Sequence, residues 1–391
     1  MNSSQKVFAW ATAFVAFEST LAYYSIYIYS RIGLILFGTY FLISVALWDQ
    51  VKTGKALLTK DSVIYLLSYI FIYLISVLKG YVPISLSLLW LLYGALFISC
   101  KECIKKEAIS IFTNLVSFLL TISIIEYILF ISTGITFFHT SVIRGTSRVY
   151  EHLLFNIYEF NPFMPIPRFQ SLMDEPGLLG TLCAFLLYVI GGQEKMYWQK
   201  TILWMSGFFS FSLAFFAIAP IIILANFKVR IKHIVLVVVA LLAIYYYLQE
   251  YVDVFISARL EKEQISNRTH DDFEFGYKKA LDSGKLFWGM GAWSFTNIDD
   301  GGNAGVKVWI YQYGFIGLLL VGGFYVVTYL RRLKQNFTMD FWHLCFLFIF
   351  WLSFLQREYI DAPYNVIIYF TIPYICVAAK EKATYVYLKK K

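Results

Sequence analysis

The sequence predicts an all-α polytopic membrane protein with about 12 transmembrane helices and two long outward-facing loops. Three observations carry this. Hydrophobic residues make up 59% of the 391 and charged residues only 15%, far more apolar than a soluble domain. The apolar runs recur at roughly the 20-residue length that crosses a hydrocarbon core. Short connections between them carry clustered lysines and arginines, which keep such connections on the cytoplasmic side. The net charge of +8 therefore orients helices, and no nucleic acid partner is expected.

Met1 to Lys6 is polar, and the run after it lacks a small-x-small cleavage site, so a retained first span is expected at about 7–28. A second span at about 32–49 leads to Lys52, Lys55 and Lys60; spans at about 62–79 and 83–100 lead to Lys101, Lys105 and Lys106. Both loops are expected on the cytoplasmic side. The fifth span, about 108–133, delivers the first outer loop, 134–175, and the sixth returns to Lys195 and Lys200. A tight pair at about 201–213 and 215–227 turns near Ser212, and a ninth span at about 233–251 opens the second outer loop, 253–307. The tenth ends at Arg331, Arg332 and Lys334, and spans at about 341–355 and 364–379 place both termini in the cytoplasm. The whole chain, 1–391, reads as a single transmembrane domain.

Cys100 and Cys103 form a lone C-x-x-C without the second pair a metal site needs, so reduced thiols are expected. Neither an internal repeat nor a pair of broken helices in corresponding halves, the marks of many transporters, is visible.

The cytoplasmic connections are short, so chemistry is expected on the outer side. In the first outer loop, Arg144 and Arg148 are four apart and Glu151 is three further on, a spacing that shares one face if the segment is a helix. Arg168 follows the proline-broken N-P-F-M-P-I-P, whose extended backbone keeps it close to a helix entry. In D-E-P-G, Asp174 reads as N-cap, Glu175 as first turn and Pro176 as a position where a missing N–H costs nothing. Glu175 either complements the helix dipole or serves as a proton acceptor. Glu126, inside the fifth span, is not expected to face lipid; it is protonated or paired within the bundle.

The second outer loop adds Arg259, Arg268 and His270, then Gly289-x-Gly291, weak as a phosphate loop because no P-loop lysine follows. Guanidinium forks suit phosphate oxygens. Several arginines beside a membrane imply an anionic, membrane-bound substrate. Trp288, Trp293 and Trp309 read as interfacial or packed aromatics, with sugar stacking as the alternative.

The Arg168 to Pro176 segment resembles the R-x-x-(G)-x-x-x-E-P pattern of bacterial O-antigen and capsular polysaccharide repeat-unit polymerases, the Wzy type. The later run is similar to a pattern shared with O-antigen ligases: Arg268 before an amphipathic segment, then Gly289 and Gly291, then Gly314 and Gly317 in the next helix. The family's eleven-residue arginine-to-glycine spacing is not met, since Gly180 lies twelve residues after Arg168 and Lys279 stands eleven after Arg268.

The resemblance implies a GT-C-like glycosyltransferase of the bacterial plasma (inner) membrane that polymerises undecaprenyl-diphosphate-linked repeat units at its outer face. That glycan is both donor and acceptor, with membrane lipid, a chain-length regulator and a flippase of the same pathway as further partners. Arg168 and Arg268 are expected on the diphosphate, Arg144, Arg148 and Arg259 as guides for the anionic substrate, and Glu175 as base, with His270 competing. No metal or cofactor is expected, because no D-x-D sequence occurs and diphosphate is already a weak base. An O-antigen ligase and, in a different class, a lipid-linked oligosaccharide flippase are the alternatives.

Overall fold

The computed structural model describes residues 1–21, 32–53, 58–81, 85–144, 148–159, 167–173, 175–191, 193, 195–226, 271–292, 294, 305–336, 341–356 and 360–375. The expected ninth span, Asp174, Trp293 and the C-terminal lysines lie outside the described residues.

The fold is mostly helical. Helices α1 (Ser3–Thr20), α2 (Ile32–Thr53), α3 (Lys60–Leu78), α4 (Ser85–Ser99) and α5 (Glu102–Thr133) come first. Strands β1 (Thr140–Arg144), β2 (Arg148–His152) and β3 (Ile157–Glu159) follow, then α6 (Pro176–Ile190), α7 (Tyr197–Phe209) and α8 (Leu213–Asn226). Next come α9 (Asp271–Asp282), a 3-10 turn at Lys285–Phe287, α10 (Gly305–Gly317), a π-helical turn at Leu318–Gly322 and α11 (Gly323–Asn336). Helices α12 (Phe341–Gln356) and α13 (Pro363–Thr371) close the described chain with a 3-10 turn at Ile372–Tyr374.

Three stretches are long and apolar enough to cross a membrane: Lys60–Leu78, Glu102–Thr133 and Gly305–Gln335. The other apolar helices, such as Pro176–Ile190 and Phe341–Phe354, are shorter than that. Leu67, Leu74, Phe118, Val327 and Phe348 point outward and exposed, a large apolar surface that water would not favour.

Local signals set the boundaries. Asn2 and Gln5 form a reciprocal capping box at the start of α1. α5 stops at Gly134, which takes the left-handed conformation and donates its N–H to Phe130 O. Pro176 and Pro363 occupy the first turns of α6 and α13. Every residue of α6 from Leu178 to Ile190 is buried, as expected of a helix apolar on all faces. It packs on α7 and α8, and Phe185 and Tyr188 stack on Trp342, Phe346 and Phe350 of α12. A second aromatic block, Tyr65 and Tyr69 with Tyr325, Tyr329 and Tyr369, joins α3, α11 and α13.

The two ends of the bundle differ. At one, Asp61 at the start of α3 is ion-paired with both Arg331 and Arg332 of α11. Lys105 of α5 lies 4.9 Å from the ring of Tyr374, which feels the charges of Arg331, Arg332, Asp61 and Glu102. This is a charged latch. The far ends of α3, α5 and the α10–α11 stretch lie at the other end, about 27 Å away along α3 at 1.5 Å per residue.

Three sequence expectations are corrected. The segment expected as the first outer loop, 134–175, is not purely irregular or helical: it contains a small antiparallel sheet, β1-β2-β3, so the fold is not all-α. Arg144 and Arg148 do not share a helix face but sit directly opposite each other at the turn end of the β1–β2 hairpin. The β-branched run around G-T-S prefers the extended pleat over a helix. Glu175, not Asp174, stands at the N-cap of α6, a shift of one position.

Candidate functional site

The first part of the site is built on the last turns of α5. Ser123, Glu126 and Tyr127 are spaced to share one helix face, and all three hold the returning chain. Glu126 accepts the Leu154 N–H (2.9 Å), the Phe155 N–H (2.8 Å) and the Asn156 side-chain amide (2.8 Å). Three donors on one carboxylate compensate its burial without a cation. The expectation that Glu126 is paired away from lipid holds, and its partners are two backbone N–H groups and one side-chain amide. Ser123 Oγ contacts Phe155 O (2.9 Å) and Ser171 Oγ (2.7 Å), while Tyr127 donates to Pro167 O (2.7 Å).

This anchoring presents Arg168. Its Nε donates to Ser210 O and its Nη2 to Phe211 O, both at 3.1 Å, so the fork grips the turn between α7 and α8. Phe169 N–H donates to Phe209 O (3.1 Å) beside it. Gly180 serves the same turn from the other side, because a Cβ there would collide with Ser210 and Ser212. Ser171 (φ 55) and Phe211 (φ 46) both take left-handed backbone, a strained conformation for residues with side chains. The arginine-to-glycine stretch of the sequence thus converges on one turn. Glu175 is exposed at the mouth of α6, where its carbonyl accepts the N–H groups of Leu178 (3.0 Å) and Leu179 (3.1 Å), and the helix dipole favours its negative charge.

The second part is a backbone crossing. Within α10, Gly314 (φ 74, ψ 175) breaks the helix, which frees carbonyls one turn earlier. Met290 N–H takes Tyr311 O (2.6 Å) and Gly291 N–H takes Gln312 O (2.9 Å). Gly289 (φ 72) passes so close that a Cβ on it would strike Gln312 O and Gly314 N, and one on Gly314 would strike Gly289 N and Phe287 O. The end of α3 locks the loop from a third side: Ser76 Oγ accepts the Ala292 N–H (3.0 Å) and Lys79 Nζ donates to Gly289 O. The sequence shows no pair of broken helices; among the described residues, α10 is broken at Gly314.

Of the predicted site residues, Glu175 stands at the mouth of α6, while Arg168 is held on the α7–α8 turn that also packs against Gly180 of α6. Arg144 and Arg148 are cross-strand partners at a hairpin tip. Arg259, Arg268 and His270 lie outside the described residues. Glu151, expected with the arginines, instead contacts His139 and accepts from Ser141 Oγ (3.1 Å). His152 is buried, and burial lowers its pKa below the usual histidine value. Trp309 is buried against Tyr313 and Phe354, which removes it as a sugar-stacking surface, whereas Trp288 is exposed. Sequence reasoning missed Lys79 and Ser76, whose only signal was their place at the end of an apolar span. Among the described residues no group of three His, Cys, Asp or Glu side chains is placed to hold a metal ion, and Cys100, Cys103, Cys183 and Cys345 are free thiols.

Both parts lie at the end opposite the Asp61 latch. Compared with protein-family models, curated proteins and solved structures, the chain matches none of them.

Proposed function

We propose that this is a polytopic membrane glycosyltransferase that polymerises undecaprenyl-diphosphate-linked oligosaccharide units at the outer face of the bacterial plasma membrane. One observation carries the reading. The two stretches that resemble polymerase and ligase motifs, far apart in sequence, gather at the same end of the bundle, away from the basic latch. The positive-inside bias assigns that latch end to the cytoplasm. About 12 spans in a GT-C-like arrangement belong to the same proposal.

In the reaction, a sugar hydroxyl of one lipid-linked unit attacks the anomeric carbon of another chain. The bond from that carbon to the diphosphate oxygen breaks, and undecaprenyl diphosphate departs with the electron pair. Charge accumulates on the diphosphate, where Arg168 and Arg268 stabilise it electrostatically. Arg144, Arg148 and Arg259 guide the anionic substrate. Glu175 takes the hydroxyl proton, and His270 is the competing base. Because diphosphate leaves as a weak base, no metal step is required; activity lost in EDTA and restored by magnesium would count against this.

The test incubates purified protein with its lipid-linked repeat unit, beside Arg168→Lys. A polymer ladder is expected from the unmutated protein and a loss of at least about a hundredfold in the variant, since an ammonium cannot reproduce the fork. Near-normal polymer from Arg168→Lys refutes the role given to Arg168. Attachment to a lipid core acceptor without a ladder means ligase, and neither product moves the flippase reading to the front.

A further inference from the structure

The Asp61 latch is not electrically closed. Arg331 Nη2 is paired with Asp61 Oδ1 and Arg332 Nη2 with Asp61 Oδ2, so two guanidinium groups converge on one carboxylate and a positive charge is left over. Asp61 also stands in the first turn of α3, where the helix dipole already draws on its negative charge. Lys105 brings a third cation to this end. It is buried, its Nζ donates to Ile98 O (3.0 Å) and lies 4.9 Å from the ring of Tyr374, whose turn packs on α11. None of these Lys105 contacts is a carboxylate, and Glu102, on the same helix, is taken by Lys106 (2.6 Å). An excess charge in such a half-dry setting attracts a counter-anion more strongly than it would in bulk water.

The surroundings decide which anion. The Asp61 side chain is 6% exposed, whereas those of Arg331 and Arg332 are 41% and 30% exposed, so the acid is covered while the arginines stay open to a ligand. Ile64 and Leu67 of α3 and Val327 of α11, all within two turns of the pair, are exposed apolar side chains. A guanidinium pair at the foot of an apolar surface is matched by an amphiphile with phosphate oxygens in its head. We propose that Arg331 and Arg332 bind the phosphodiester head of an anionic phospholipid, with its acyl chains against Ile64, Leu67 and Val327. The single charge of a phosphodiester balances the one left over by Asp61, whereas a zwitterionic head would bring an ammonium of its own to the arginines. A guanidinium carries five N–H donors, so Arg331 can hold Asp61 and a phosphate oxygen together. This site goes beyond the reading above, lies at the other end of the bundle from Arg168 and Gly314, and does not depend on the reaction proposed there.

The experiment is native mass spectrometry of the purified protein in a non-ionic detergent, titrated separately with phosphatidylglycerol, phosphatidylcholine of the same acyl chains and inorganic phosphate. Phosphatidylglycerol is expected to bind at least about tenfold more tightly than either other probe, and Arg331→Gln, which leaves Arg332 on Asp61, to weaken it about fivefold. Asp61→Asn separates the lipid site from the latch. It is expected to lower the melting temperature and yet to tighten phosphatidylglycerol, because the competing carboxylate is gone; arginines that serve only the latch predict no such gain. Unchanged binding in Arg331→Gln overturns the site, and that variant alone decides the matter if Asp61→Asn does not fold. A folded Asp61→Asn protein that binds phosphatidylglycerol less tightly also overturns it. Equal affinity for phosphatidylcholine overturns the charge recognition, and equal affinity for inorganic phosphate overturns the lipid as the occupant.

Discussion

The segments around Arg168 and around Gly314 each fasten a loop to a helix end, with opposite chemistry. The first uses side chains: Glu126, Ser123, Tyr127 and Arg168 supply the acceptors and donors, and the backbone they hold bends through two strained non-glycine residues. The second uses the absence of side chains, because two backbones cross at a distance that admits only glycine. Side-chain fastening loosens in steps as each partner is removed. A backbone crossing has no intermediate state, so it either closes or fails.

Gly314→Ala tests the second half of that contrast most severely. Gly314 sits where essentially only glycine is tolerated, and a Cβ would meet Gly289 N at 2.5 Å; backbone strain plus the clash is expected to cost more than about 3 kcal/mol. Melting of the detergent-solubilised protein should show little folded material, and near-normal stability would break the comparison.

Glu126→Ala comes next, since it strips the acceptor from two backbone N–H groups and the Asn156 amide. A loss of about 2–3 kcal/mol is expected, confined to the first segment. Limited proteolysis should nick residues 134–175 while leaving the Gly289 loop protected. Nicking at both loops together would show that the two fastenings are one unit.

Arg168→Gln is expected to be milder, about 1–2 kcal/mol, because the turn keeps its other contacts. Set against the polymer assay, it separates two roles: a small drop in melting temperature with a large drop in activity assigns Arg168 to substrate, and parallel drops assign it to the turn alone.

The smallest effect is the pH response of the sheet. His152 has a folded pKa below its unfolded value near 6.5, so the unfolded segment binds the proton more readily. The stability it contributes is present above about pH 6.5 and is lost as pH falls through the lowered folded value. Protection factors of the β2 and β3 amides, taken relative to the intrinsic exchange rate at each pH, should fall between pH 7 and pH 5, and His152→Gln should flatten the change.

How much of this was legible in the sequence follows from what each feature depends on. The helices α2, α3, α4 and α12 begin and end within a few residues of the expected spans, because apolar length and charged flanks are local properties. The Arg168 to Gly180 stretch stood out for the same reason: charge, proline and glycine at a helix mouth are visible in order. Its target was not visible. Ser210 and Phe211 contribute only carbonyl oxygens, which every residue has, so nothing in their side chains announces the contact. The hairpin was misread because Arg144, Arg148 and Glu151 fit helical spacing, while the β-branched residues between them carried the deciding preference. Gly289 and Gly314 were noticed as a pattern, but their crossing depends on residues far apart in sequence meeting in space.

The double fastening of α3 to the α10–α11 stretch has a mechanical consequence. Asp61 grips Arg331 and Arg332 at one end, and Ser76 and Lys79 grip the Gly289 loop at the other, so neither helix can slide or tilt independently of its neighbour. In a membrane such a pair acts as a ruler of fixed length. Helices free to tilt singly absorb a change in bilayer thickness one at a time, whereas this pair tilts as one unit or leaves the lipid to stretch or thin, at a cost of fractions of a kcal/mol per Å.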